Sequence, residues 1–163
     1  MLAHHEVRVG IGAAVTDRLG GASAGPWATL NLSDAVGDDP EAVTENRRRL
    51  VAALGPSAGS LVTMRQVHGA AVAVVDGLPD EPPEADALVT TTPGLTLVVQ
   101  VADCTPVLLW DRRARVVAAV HAGRRGLAAG VVPAALDVMA KLHGRADRTY
   151  AVVGPGICPR HYE

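Results

Sequence analysis

Apolar residues follow two rhythms along the chain. Between Asp39 and Pro56, Val43, Leu50, Val51 and Leu54 recur at the spacing of one helix face, with Arg47 on the same side. Asp39 suits an N-cap, Pro40 a first helical position and Glu41 an acidic first turn, and Gly55-Pro56 stops the run. A second helix is predicted over residues 125–142, with Leu127, Val131, Ala135, Val138 and Leu142 as its buried stripe. Pro133 lies inside it and either kinks or splits it, because its ring blocks the bond to the carbonyl four residues back.

The other rhythm belongs to strands. Short runs rich in Val, Leu and Thr occupy residues 61–67, 71–75, 87–91, 95–101, 107–110, 116–120 and 149–153, and a loosely alternating first run covers 7–15. Several are apolar throughout, the pattern of strands covered on both faces. The glycine-rich stretch 19–25, "LGGASAG", reads as a loop, and Pro79, Pro82 and Pro83 mark an exposed connection. No repeat and no strict strand–helix alternation is present. The expected fold is α/β (α+β): a mixed β-sheet flanked by helices, in a single domain over residues 1–163.

Composition narrows the function classes. A chain of 163 residues with 48% hydrophobic and 20% charged residues has the make-up of one globular domain. Aromatic residues are only 2%, with no Phe, so the core must be built from Val, Leu and Ala. Stacking platforms for single-stranded nucleic acid have almost nothing to be made from. A net charge of −2 gives no electrostatic footprint for nucleic acid either. No apolar run reaches the ~18 residues of a membrane span, and residues 1–10 lack the apolar core of an export signal. The two cysteines, Cys104 and Cys158, fit a cytoplasmic protein with free or metal-bound thiols.

Three segments carry candidate chemistry. "RQVHG" puts His68 just past one strand, "VQVADCTPVLLWD" puts Cys104 between two apolar strands, and "VAAVHAGRRG" puts His121 at a strand end before a helix. If those strands are neighbours, the three side chains converge on one edge of the sheet. Two imidazoles and a thiolate suit zinc, and three protein ligands leave a fourth coordination place open. The spacing matches no local metal motif. A strand-end histidine is often a surface or capping residue, and Cys104 between apolar runs is often a small buried hydrophobe. His4, His5, His143 and His161 read as exposed, His4-His5 with the makings of an adventitious metal binder. In "HAGRRG", Gly123 and Gly126 bracket Arg124 and Arg125 at a helix start. That is either an anion site or a solvated terminus with glycines for tight packing. Arg47, on the buried side of its helix, needs a carboxylate or an anionic ligand, whereas Arg48 and Arg49 read as solvated.

Taken in order, "TDRLGGASAGPWATLNL", "VGDDPEAVTENRRRL", "RQVHG", "ADALVT", "VADCTPVLLWD", "VHAGRRG" and "VGPGICPRHYE" resemble the YfiH/DUF152 family over nearly the whole chain. These are the laccase-domain or "polyphenol oxidase" proteins, also described as purine nucleoside-processing enzymes. The resemblance implies Zn2+ at His68, Cys104 and His121. It implies phosphorolysis of adenosine, inosine, guanosine and methylthioadenosine with inorganic phosphate, together with adenosine deamination. A copper-dependent oxidase activity is claimed for some members. The fold it implies is a mixed α/β sheet related to a toxin cysteine-hydrolase fold. On that reading Arg47 and Arg125 are candidates for holding phosphate. Asp103 is a candidate proton-transfer or supporting group beside Cys104, or else a turn residue bonding its own backbone. The expected partners are purine nucleosides and phosphate, with no nucleic acid and no membrane, and the oligomeric state is left open.

Three departures from the family pattern stand out. Arg124 replaces a Trp. Gly156 stands where a Cys follows Gly-Pro, with Cys158 two residues later. The chain ends at Glu163, where members continue, and so is expected to lack the family's C-terminal segment. The P-C-x-x-C of known zinc deaminases is absent, so deamination needs another arrangement. Multinuclear copper is weakly supported, because the chain's 6 histidines form no His-x-His pair. Two alternatives remain: a metal-free cysteine hydrolase with Cys104 as nucleophile and His121 as base, and a non-catalytic purine- or zinc-binding module.

Overall fold

A computed structural model describes residues 2–8 (main chain), 10–56 and 58–161. The side chains of His4 and His5 therefore lie outside the described residues. The chain divides into two compact units, Met1–Gly59 and Ser60–Glu163.

In the first unit, β1 (Leu2–Arg8) and β2 (Ile11–Thr16) pair antiparallel. The single strand expected over 7–15 is thus the turn of a hairpin, reversed at Gly10 with φ +81°, a conformation glycine adopts without steric cost. Helix α1 (Pro40–Leu54) forms as its pattern predicts, and the Asp39 side chain accepts from Glu41 N at 2.9 Å. Its buried residues are Val43, Asn46 and Leu50. Asn46 ties the helix to the glycine-rich loop. Its Oδ1 accepts from Ala22 N at 2.6 Å, and its Nδ2 donates to Ser23 Oγ and the Asn31 carbonyl, each at 2.8 Å. Arg47 has the partner its position requires: Nε donates to the Leu32 carbonyl at 3.0 Å and Nη2 to Asp34 at 3.2 Å.

The second unit is a five-stranded sheet of order β4-β5-β8-β7-β9 with a two-stranded parallel pair, β3-β6. The strands are β3 (Ser60–Val62), β4 (Val72–Val74), β5 (Ala87–Thr90), β6 (Leu95–Leu97), β7 (Thr105–Asp111), β8 (Val116–Ala122) and β9 (Tyr150–Val153). β4 and β5 run parallel, and every other pair in the five-stranded sheet is antiparallel. The sheet is therefore mixed, as the run pattern implies. All four residues of β5 are buried. Ala87 and Val89 pack with Val116, Ala118 and Val120 of β8 and with Val131, Ala135 and Met139 of the last helix. Leu88 packs with Val62, Met64 and Val75 on the opposite face. Continuous apolarity in β5 thus reflects cover on both sides.

The helical stretch after β8 breaks into α2 (Arg124–Ala128) and α3 (Val131–Lys141). The break falls at Gly130, with φ +84°. Pro133 sits in the first turn of α3, where its missing N–H leaves no intrahelical bond unmade. The buried stripe of α3 is Val131, Ala135 and Met139, whereas Leu127 is 53% exposed. The run expected over 61–67 ends as a strand at Val62, and Gln66 to Gly69 form a connection instead. No described helix is long and apolar enough to cross a membrane.

Leu88 is fully buried, and Leu88→Ala is expected to destabilise the protein by about 2–5 kcal/mol in urea unfolding. In α1, Arg48 and Arg49 both donate to Glu45, each through Nε at 2.7 Å, and hold its carboxyl at a pKa of about 2. A depressed carboxylate stabilises above its unfolded pKa of about 4.3 and loses that contribution as pH falls towards the folded value. The Tm difference between wild type and Glu45→Gln should therefore be present at pH 7 and shrink between about pH 5 and pH 2.

Candidate metal centre

Strand order brings the three predicted residues to one end of the sheet. Cys104 immediately precedes β7, and His121 lies near the end of β8, directly opposite Pro106 of β7. Ala87, at the start of β5, is opposite Val120 of β8. His68 sits in the connection that leads into β4, the parallel neighbour of β5. One ligand atom from each of His68, Cys104 and His121 lies within 4.8 Å of the others. The imidazoles of His68 and His121 meet edge to face, with centroids 4.7 Å apart. His121 is buried, Cys104 half-buried and His68 exposed, so the cluster opens to solvent on the His68 side.

This donor set fits a borderline-soft divalent ion. Ligand atoms around tetrahedral zinc stand roughly 3.5 Å apart, given bonds of about 2.0–2.3 Å, so the observed spread closes with a contraction of about 1 Å. Burial pushes the Cys104 thiol up, and the charges of Asp103 and Asp86 push it further. Metal binding here would release the thiol proton.

Sequence reasoning named the three donors and missed what holds them. Asp86, fully buried, accepts from His121 Nδ1 at 2.7 Å. The same carboxylate accepts from the main-chain N–H groups of His68 at 2.9 Å, Gly69 at 2.7 Å and Val67 at 3.3 Å. Burial raises its pKa, but the His121 and main-chain bonds outweigh that and hold it below the ordinary carboxylate value. The His68 backbone, with φ +61°, is thereby fixed in the left-handed region. Gln66 was also missed. Its Nε2 donates to the Gln100 carbonyl at 2.7 Å and its Oε1 accepts from Gln100 N at 2.9 Å, joining the His68 connection to the segment that leads to Cys104. The available signal was a polar residue set in an apolar run: Asp86 inside "ADALVT".

The glycines of "HAGRRG" serve close approach. A Cβ on Gly123 would stand 2.8 Å from Cys104 Sγ and 3.2 Å from His68 Cδ2, and one on Gly126 would stand 2.8 Å from the Gly69 carbonyl oxygen. Arg124 and Arg125 are exposed on the five-residue helix α2. Asp103 is exposed beside Cys104, and its carbonyl accepts from Ile157 N at 2.9 Å. Arg47 belongs to the first unit, where its guanidinium holds Asp34 and the Leu32 carbonyl. Both cysteines are free, and Cys158 Sγ stands 2.9 Å from His161 Nδ1. A separate apolar groove of about 460 Å³ is lined by Val107, Leu109, Ala122, Leu127, Val132 and Leu136. Because side chains alternate along β8, Ala122 faces this groove and His121 faces the opposite side of the sheet.

A mixed sheet with two imidazoles and one thiol gathered at its end defines an α+β protein with a candidate metal centre. Residues 12–163 match the model for multi-copper polyphenol oxidoreductase laccase proteins, and the chain belongs to that family. It is 54% identical over 153 residues to "purine nucleoside phosphorylase ORF3" of Streptomyces griseus, covering 92% of this chain and 62% of that protein. The crystal structure of a Neisseria meningitidis protein of the DUF152 family superposes with a TM-score of 0.83 at 35% identity, covering 96% of this chain and 62% of that one. The Bacillus licheniformis hypothetical protein YfiH superposes with a TM-score of 0.86 at 29% identity, covering 93% and 60%. These likenesses bear out the expected YfiH/DUF152 membership and the α+β fold. The chain spans about three-fifths of the length of these relatives.

With zinc as the probe ion in competition with a chromophoric chelator, Gly123→Ala, whose Cβ would meet Cys104 Sγ, should bind on the order of 10–100-fold more weakly than wild type. Arg124→Ala, at an exposed side chain, should change that affinity less than twofold.

Proposed function

We propose that this protein is a zinc-dependent purine nucleoside phosphorylase of the cytoplasm. It would act on adenosine, inosine, guanosine and methylthioadenosine, with adenosine deamination as a second activity. The convergence of His68, Cys104 and His121 at an open end of the sheet carries the metal half of this reading. The reaction is supported by a relative named purine nucleoside phosphorylase at 54% identity.

In phosphorolysis, a phosphate oxygen forms a bond to ribose C1′ as the C1′–N9 bond breaks. The electron pair leaves with the purine, which takes up a proton. When bound, a zinc ion supplies Lewis-acid charge beside the reacting group. The chain's own residues divide the remaining work. Asp86 holds His121 by Nδ1 and so leaves Nε2 as the ring nitrogen available to a metal. The exposed side at His68 is where a substrate enters. Arg125 is the candidate for gripping phosphate, and Asp103, exposed beside Cys104, is the candidate for passing a proton to or from the substrate.

One observation favours a second reading. Asp86 Oδ1 lies 2.7 Å from His121 Nδ1, and a His121 ring nitrogen lies within 4.8 Å of Cys104 Sγ, a carboxylate, an imidazole and a thiol grouped as a metal-free cysteine nucleophile would need them. Against it, the Cys104 thiol is pushed up rather than down, and His68 is left without a task.

Elemental analysis of the purified protein should give close to one zinc per chain, lost in Cys104→Ala. Inosine with phosphate should yield hypoxanthine and ribose 1-phosphate, and a chelator should abolish turnover. Arg125→Ala should raise the KM for phosphate by about tenfold or more. Copper at several ions per chain would favour the oxidase named in the family description. Chelator-resistant turnover with Cys104 trapped by an electrophile would favour the hydrolase.

A further inference from the structure

Among the described residues, Asp86 is the side chain hydrogen-bonded to both histidines of the cluster. We infer that Asp86 is the positioning residue of the centre: it fixes the ring tautomer of His121 and the main-chain conformation that presents His68. The inference rests on the metal reading above and extends it to a residue that reaches no substrate.

Counting donors assigns the tautomer. Two carboxylate oxygens receive four contacts. Oδ1 faces His68 N at 2.9 Å and His121 Nδ1 at 2.7 Å, and Oδ2 faces Gly69 N at 2.7 Å and Val67 N at 3.3 Å. Three of the four partners are main-chain N–H groups, which can only donate, and each oxygen has at least one of them. Both oxygens therefore accept, and an ionised carboxylate has no hydrogen to give, so the fourth partner must donate as well. His121 therefore carries a hydrogen on Nδ1, which in the neutral ring leaves the Nε2 lone pair free to act as a ligand. Rotation about the carboxyl cannot escape this, because exchanging the oxygens keeps an N–H on each.

Nor can the residue swing away. The Asp86 carbonyl accepts from His121 N at 2.8 Å, and its N–H donates to the Ala71 carbonyl at 2.9 Å. The side chains of Asp86 and His121 are 0% and 3% exposed, so water does not stand in for a lost partner. Asparagine has the same shape but brings two hydrogens. With its amide nitrogen at the Oδ1 place it confronts the His68 N–H and forces His121 to accept through Nδ1, which moves the ring proton to Nε2 and blocks the ligand position. With the nitrogen at the Oδ2 place it confronts the Gly69 and Val67 N–H groups and releases the connection that carries His68. Either orientation damages at least one histidine, and loss of the carboxylate charge also removes one of the influences that push the Cys104 thiol up.

The test reads the tautomer directly. In metal-free protein, 15N shifts and long-range 1H–15N couplings should report His121 protonated at Nδ1 alone. In Asp86→Asn, either the His121 proton should move to Nε2 or the Val67, His68 and Gly69 amide resonances should shift while His121 keeps its form. Zinc affinity, measured by chelator competition, should fall on the order of 10–100-fold in the variant, and the Co2+-substituted spectrum should lose intensity from one imidazole. Wild-type His121 protonated at Nε2 would overturn the inference. So would an Asp86→Asn variant that binds zinc within twofold of wild type. If the variant does not fold, the wild-type tautomer still decides. If wild type takes up no zinc at all, the metal reading fails while the tautomer measurement still tests the positioning role.

Discussion

At the start of β5, a carboxylate with no solvent exposure is surrounded by one imidazole and three main-chain N–H groups. An ionised group buried without such partners costs several kcal/mol, so the four donors and the carboxylate stand or fall together. This one interaction joins three pieces of chain: the 67–69 connection, the start of β5 and the end of β8. Everything distinctive about the second unit's open end is arranged around it. The left-handed backbone of His68 is offset by hydrogen bonds to Asp86, and the orientation of His121 follows from the same atom that accepts the His68 N–H.

The sheet supplies the rigidity. β5 and β8 are buried on both faces, by α3 on one side and by the β3-β6 pair with its neighbours on the other. A residue at the end of such a strand inherits a fixed direction. Alternation then sorts chemistry from packing: His121 and Pro106 share one face, while Ala122 lines the apolar groove on the other. The two glycines after His121 let α2 settle against the cluster, with less than an ordinary van der Waals contact to spare at Cys104 Sγ and at the Gly69 carbonyl.

Much of the candidate site was legible because each donor sits in a short motif at the edge of an apolar run. His68, Cys104 and His121 could be named from "RQVHG", "ADC" and "HAGRRG". The supports were harder to see. Asp86 looks like a turn residue before a strand until β5 is placed beside β8. Gln66 looks like a surface amide until its partner, the main chain of Gln100, is brought next to it. Asn46 was hidden in the same way, since its three-way bonding to Ala22, Ser23 and Asn31 depends on how the glycine-rich loop folds over α1. The helix break was misplaced for a local reason: Pro133 drew attention, but a proline in a first turn is harmless, and Gly130 makes the turn.

The sequence by itself determined the elements whose signals are local. The capped helix Pro40–Leu54 and the fully apolar strands follow from side-chain spacing within a dozen or so neighbours, while His68, Cys104 and His121 stood out as donors by residue type and by their places at strand ends, and as a set through the family resemblance. Tertiary structure alone decided that those three meet, which carboxylate holds them, and which face of β8 points to the centre. Those outcomes rest on strand order, and strand order is settled by packing between segments far apart in the chain, where no local pattern reaches.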